Sequence, residues 1–278
     1  MTDKTSFEKM LKGYLGFLIG TGKSEKTISS YRGDLMVFKD FLTTKKKSFI
    51  AIAPKDFDAF HYFLQKKGLK TNTRRRKLIT ARSLYRYALI RKKIPFSPAK
   101  FIRPPERLER LPKIPTKGEY QKLISMIPLR SSIALRNRIL VQILGETGIS
   151  VSELCALSWK NFSEKEVSIL GKKTRKIKIS SELKNMLKKW HKENRGKYIF
   201  PGFNRHGVTT EKMTPRGVEI LFRQLAKKAS LPKLMPKSLR HYIILEWLRQ
   251  KIDEKEILRR LGVSSSYSLH AYKKLLES

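Results

Sequence analysis

Between residues 95 and 120 the chain reads PFSPAKFIRPPERLERLPKIPTKGEY, with six prolines. Proline lacks a backbone donor and clashes with the preceding helical turn, so no helix or central strand runs through such a stretch. The sequence on either side must complete its own core, and the proline-rich segment reads as a stiff, extended connection. A chain of 278 residues is long enough for two domains of ordinary size. The division expected is a first domain over 1–101, a linker over 102–116 and a second domain over 117–278.

Upstream of the prolines the apolar residues recur at helical spacing. Phe7, Met10, Leu11, Tyr14, Leu15 and Leu18 share one face, and GTGKS ends that run. Ser24 can cap a second helix carrying Ile28, Tyr31, Leu35, Phe38 and Leu42. A third follows Pro54 and stops at Gly68. A fourth starts near Thr71–Thr73 and carries Leu78, Ala81, Tyr85, Ala88 and Leu89. Four such helices make a bundle of about 100 residues. Downstream, helices are expected over about 117–127 and 131–145, then a short one in VSELCALSW. Ile177 and Ile179 alternate with Lys176 and Lys178, the period-2 signal of a half-buried hairpin built from EVSILG and RKIKIS. YIF at 198–200 is expected to add a third strand. The fold class expected is mainly α, with an N-terminal four-helix bundle and a mostly α second domain holding a small three-stranded antiparallel sheet.

Charge narrows the function. Lys and Arg number 62 against 23 Asp and Glu, a formal net charge of +39, so the natural partner is a polyanion. Hydrophobic residues at 40% place the chain among folded proteins and not among basic disordered tails. A membrane surface would be met by one basic amphipathic helix, whereas here the cations run through the whole chain. Duplex nucleic acid fits better, because neutralising phosphates releases condensed counterions. The densest cluster opens the fourth helix, in TNTRRRKLITARSLYRY. Arg74, Arg75, Arg76, Lys77 and Arg82, with Arg86, have no acid at i,i+4 along that helix, and are read as phosphate contacts.

A single cysteine, Cys155, excludes an intramolecular disulfide and any cysteine-rich zinc site. MTDKTSFEKML places acids and lysines where a signal peptide needs an apolar run, and no stretch approaches the ~20 apolar residues of a membrane span. A soluble, cytoplasmic and nucleoid-associated protein with no membrane partner is expected. There is no GxxxxGK[ST] and no HExxH, and His61, His191 and His206 are isolated. The acids are scattered, which leaves no carboxylate cluster for a two-metal nuclease. Chemistry on a phosphodiester would therefore rely on a side-chain nucleophile and cationic stabilisers, with neither metal nor other cofactor.

TGISVSELCALSW at 147–159, ILGKKTRKIKIS at 169–180, PKSLRHYIILEWL at 236–248 and LRRLGVSSSYSLHAY at 258–272 stand in the order and spacing of the tyrosine recombinases. The sequence resembles that family, the phage integrases and chromosome-dimer-resolving recombinases, over nearly its whole length. The resemblance implies a clamp on duplex DNA, a core-binding bundle on one face and a catalytic domain on the other. It implies attack by a tyrosine on the scissile phosphate, giving a 3′-phosphotyrosyl link and a free 5′-hydroxyl, with no cofactor. It also implies a homotetramer on paired DNA sites, or assembly with a heterologous recombinase partner.

Carried over by position, Tyr272 is the nucleophile, Arg240 the second phosphate-binding arginine and Lys172 the hairpin lysine that protonates the leaving oxygen. Glu153 matches the acid three residues after the first arginine. His241 follows Arg240 as in the family's LRH, where its usual role is mainly structural. Three positions depart. The first arginine is Ser150, the histidine three residues before the second arginine is Lys237, and the residue after LG is Val263, which cannot donate a hydrogen bond. Lys173 and Arg175, on the hairpin, are the cations best placed to contact DNA or to stand in for the missing guanidinium. Only KKLLES follows Tyr272, shorter than the family's subunit-docking tail. The expected function is site-specific strand cleavage and rejoining. The alternative is an inactive homologue acting as an accessory or architectural DNA-binding protein.

Overall fold

The computed structural model describes residues 3–108, 111–163, 166–170, 174–204, 207–263 and 267–277. The chain forms two compact units, Met1–Glu109 and Arg110–Ser278.

The first unit holds α1 (Asp3–Gly20), α2 (Glu25–Thr44), α3 (Lys55–Lys66) and α4 (Thr71–Ile90), followed by a 3-10 turn at Pro98–Phe101. Ser24 caps α2, its hydroxyl accepting the Thr27 N–H. The periodic apolar faces meet in one core around Tyr14, Leu35, Phe38, Phe60, Leu84 and Tyr85, all at 1% exposure or less. Each such burial is worth about 1.5–3 kcal/mol over an exposed side chain. The four-helix bundle is as expected.

Its polar interior is not. Asp34 of α2 is 2% exposed and accepts hydrogen bonds from Lys77 Nζ at 2.9 Å, from Thr80 Oγ1 at 3.2 Å and from the Arg76 guanidinium. Helix α4 itself holds no acid for its basic start. The partner comes from another one, 43 residues away. Lys77 is thus a buried packing cation rather than a phosphate contact, and Arg76 shares its carboxylate. Arg75 Nη1 donates to the Pro105 carbonyl at 2.8 Å, and Asn72 exchanges two hydrogen bonds with the Leu108 backbone. Arg74 donates to Thr71 Oγ1. Arg82 stays exposed and, with Arg86 and Lys100, lines a cavity floored by Ile79, Leu89 and Phe96.

The second unit comprises α5 (Lys117–Ser125), α6 (Ser132–Thr147), α7 (Val151–Ala156), β1 (Glu166–Ile169), β2 (Arg175–Lys178), α8 (Ser181–Glu193), β3 (Pro201–Asn204), β4 (Gly207–Lys212), α9 (Pro215–Lys228), α10 (Pro236–Arg249), α11 (Glu254–Leu261) and α12 (Tyr267–Glu277). Helix α6 is central. Its Ile139, Leu140, Val141, Ile143 and Leu144 are buried on every side, and it packs on α8 and α10. A further cluster joins the last three helices through Leu245, Trp247, Ile257, Leu261, Leu269 and Tyr272. Leu111 and Ile114 pack against it.

The expected hairpin is present, with Val167 opposite Ile177 and Ile169 opposite Arg175. The three-stranded sheet is not, because β1–β2 and β3–β4 form separate antiparallel pairs. Among the described residues, 198–200 make one bridge, between Tyr198 and Ser158. Side chains at the end of α8 bond to carbonyls of this segment: Trp190 Nε1 donates to Ile199 and the C-cap Asn194 Nδ2 to Tyr198. The Ile199 N–H donates to the Leu157 carbonyl and the Phe200 carbonyl accepts from Met213 N–H, so the segment's backbone groups are satisfied without a third strand.

Candidate active site

Two left-handed glycines shape this region. Gly148, with φ of 62°, caps α6, and Gly262, with φ of 67°, caps α11. A side chain is strained in that conformation, and glycine is not. At Gly262 there is a second reason, since an added Cβ would lie 2.8 Å from Arg175 Nη1. The ends of both helices therefore present backbone carbonyls to guanidinium groups. Arg240 of α10 donates Nη1 to the Gly148 carbonyl at 2.5 Å and Nη2 to the Leu261 carbonyl at 3.0 Å. Arg175 of β2 donates Nε to the Arg260 carbonyl at 2.6 Å and Nη1 to Glu153 Oε1 at 2.7 Å.

Ser150 begins α7. Its hydroxyl accepts the Glu153 N–H, and Glu153 Oε2 accepts the Ser150 N–H at 2.8 Å, a complete capping box. Glu153 thus joins the helix start to the hairpin. Burial works to raise its carboxyl, but the hydrogen bonds from Arg175 and Ser150 outweigh that and hold it below its ordinary value.

Arg175 corrects the sequence reading in part. It lies beside Glu153, where a stand-in cation was sought, but its side chain is only 3% exposed. It is an internal cation of the site and not a surface DNA contact. Its Nη2 has no hydrogen-bond partner among the described residues. Lys172 and Lys173 lie outside the described residues.

Tyr272 projects from α12 into the apolar cluster, 5% exposed, and its hydroxyl meets His241 Nδ1. Burial pushes the phenol up to about 12 despite the opposing charge of Arg240. Burial, then Lys237 and Arg240, lowers His241 to about 4. Lys237 itself is exposed in the first turn of α10, and Val263 is half-buried against the last-helix cluster. Glu153, Arg175, Arg240, His241 and Tyr272 therefore come together from four separate elements, α7, β2, α10 and α12. The His241–Tyr272 contact joins residues 31 apart on different helices, and nothing in the local sequence signals it.

These shifts set an acid limit. Because His241 folds with a value near 4 against 6.5 normally, the unfolded chain binds the extra proton between those values. Stability of the second unit should fall as pH drops through that window. Glu153 adds to the trend, since its contribution is lost as pH falls through its depressed folded value. Urea unfolding followed by the fluorescence of Trp159, Trp190 and Trp247, all in this unit, measures it. His241→Gln should flatten the upper part of the profile and Glu153→Gln the lower part.

The two helical units are shared with known proteins. Residues 114–278 match the model of the phage integrase family, and residues 11–92 match the phage integrase N-terminal SAM-like domain. The chain belongs to the phage integrase family. It is 28% identical over 258 residues to a tyrosine recombinase XerC of Xanthomonas campestris pv. campestris, covering 90% of this chain and 78% of that one. A tyrosine recombinase XerD of Oceanobacillus iheyensis is 27% identical, covering 95% and 93%. Among solved structures, a lambda integrase (75–356) dimer bound to a COC′ core site gives a TM-score of 0.75 at 18% identity, covering 95% of this chain and 94% of that one. At that identity the likeness is one of fold. No helix among the described residues is long and apolar enough to cross a membrane.

Proposed function

We propose that this protein is a site-specific DNA strand transferase, in which Tyr272 attacks a scissile phosphate and holds the cut strand as a 3′-phosphotyrosyl ester. The observation that carries it is the assembly of Tyr272, His241, Arg240, Arg175 and Glu153 at one place from separated motifs. Arg240 binds a non-bridging phosphate oxygen, and Lys172 protonates the 5′ leaving oxygen. Glu153 fixes the start of α7 and the hairpin strand. Energy stays in the ester, and rejoining reverses the step.

Duplex DNA is the partner. Arg74, Arg75 and Arg82 of the first unit contribute phosphate contacts, as does Lys173 of the second. Relatives bear on assembly: one solved lambda integrase is a tetramer bound to a Holliday junction. A homotetramer on paired sites, or a complex with a heterologous recombinase, fits this chain, acting on the cytoplasmic nucleoid. A second reading, an accessory DNA-binding subunit without cleavage, draws on Ser150, whose hydroxyl is engaged in capping and supplies no charge.

One experiment separates the two. The DNA recovered with the protein from cells gives the site, and a nicked duplex carrying it traps the covalent intermediate. The transferase forms an adduct that Tyr272→Phe abolishes. An accessory subunit binds the same duplex and forms none.

A further inference from the structure

We propose that His241 is a catalytic residue, the base that takes the phenolic proton of Tyr272 as the nucleophile attacks. This rests on the strand-transfer reading above. The family resemblance places a histidine three residues before Arg240, and that position is Lys237 here, an exposed ammonium with no lone pair to accept a proton. Four residues on, one turn further along α10, His241 meets the Tyr272 hydroxyl directly, their ring centroids 5.6 Å apart and the planes inclined at 29°. No other hydrogen bond reaches that hydroxyl among the described residues.

The chemistry requires such a group. A phenol that burial holds near 12 supplies almost no phenolate at neutral pH, so its proton must leave during attack. His241 is lowered by burial, Lys237 and Arg240, and is therefore neutral, with Nδ1 free to accept when its proton sits on Nε2. A phosphodiester entering beside Arg240 brings a negative charge that offsets those two cations. That raises the proton affinity of His241 at the step where it accepts. In the step, a bond forms between Tyr272 Oη and phosphorus while the bond to the 5′ oxygen breaks. The phenolic proton passes to His241 Nδ1, and the 5′ oxygen takes a proton from a separate acid at the position of Lys172. Rejoining returns the His241 proton to Tyr272.

The test measures adduct formation on the nicked duplex by the full chain. His241→Ala should slow it about 10²–10³-fold. His241→Asn keeps an acceptor near the hydroxyl but no base, and should lose nearly as much while folding normally. Replacing Tyr272 with a difluorotyrosine, a more acidic phenol, should recover tenfold or more in His241→Asn and little in wild type. A 5′-bridging phosphorothiolate, whose sulfur leaves without an acid, should rescue Lys172→Ala and not His241→Asn. Wild-type rates in His241→Asn, no recovery with difluorotyrosine, or rescue of His241→Asn by the phosphorothiolate would each overturn the assignment. Failure of the underlying reading looks different, because wild type itself then forms no adduct.

Discussion

Asp34→Ala lowers the stability of the first unit by about 3–5 kcal/mol, the cost of leaving a buried ion without its partner. The side chain of Asp34 is 1% exposed and that of Lys77 is 9% exposed, so neither reaches water when the other is removed. Thr80 and Arg76 lose the same acceptor. All three tryptophans lie in the second unit, so their fluorescence is blind to this change. Hydrogen exchange on α2 and α4 peptides reads it, and protection there should fall about 10²–10⁴-fold while α6 is unaffected. Pairing Asp34→Leu with Lys77→Met should recover much of the loss, because an apolar pair of similar volume removes both charges. A loss under about 1 kcal/mol for the single change would mean the pair behaves as a surface salt bridge.

Ser150→Arg raises covalent adduct formation by about two orders of magnitude, the effect of one charged donor at such a site. Position 150 lies two residues from the Gly148 carbonyl that Arg240 grips, so a guanidinium there starts close to Arg240. The change loses the hydroxyl arm of the capping box, costing about 1 kcal/mol. The other arm survives, because Glu153 accepts from the Ser150 backbone N–H, which arginine also has. In the free protein the new charge joins Arg175 and Arg240 around one carboxylate, and the incoming phosphate relieves that crowding. Unchanged adduct formation with DNA binding and folding intact would show that Arg175 already supplies the charge. Arg175→Ala should then abolish the adduct.

Much of the fold was legible because it is local. Helix α3 starts directly after Pro54 and α4 at Thr71, as the proline and the apolar spacing indicate. The hairpin is legible from alternation, and the same alternation places Arg175 as well. Arg175 is two residues from buried Ile177, so it lies on the buried face of β2, between exposed positions. Strand parity alone assigns it to the interior. What was not legible depends on distance in sequence. The Asp34 carboxylate is on α2, and only the packing of α2 on α4 brings it to Lys77. The 198–200 segment has strand composition, yet its backbone is satisfied by Leu157, Met213, Trp190 and Asn194, all distant or off its own strand pattern. At the site, the motif positions named Glu153, Arg240, His241 and Tyr272, which the fold brings near one another, while the Tyr272–His241 pair and the Ser150 capping box emerge only from the folded chain.

The most direct measurement is a peptide map of the trapped complex. The protein is incubated with the nicked duplex, digested with nuclease and trypsin, and analysed by mass spectrometry. The account predicts one modified peptide, with a 3′-linked nucleotide on Tyr272 and none on Tyr267. A DNA complex of full affinity in which Tyr272 is recovered unmodified, or a nucleotide on any other residue, contradicts it.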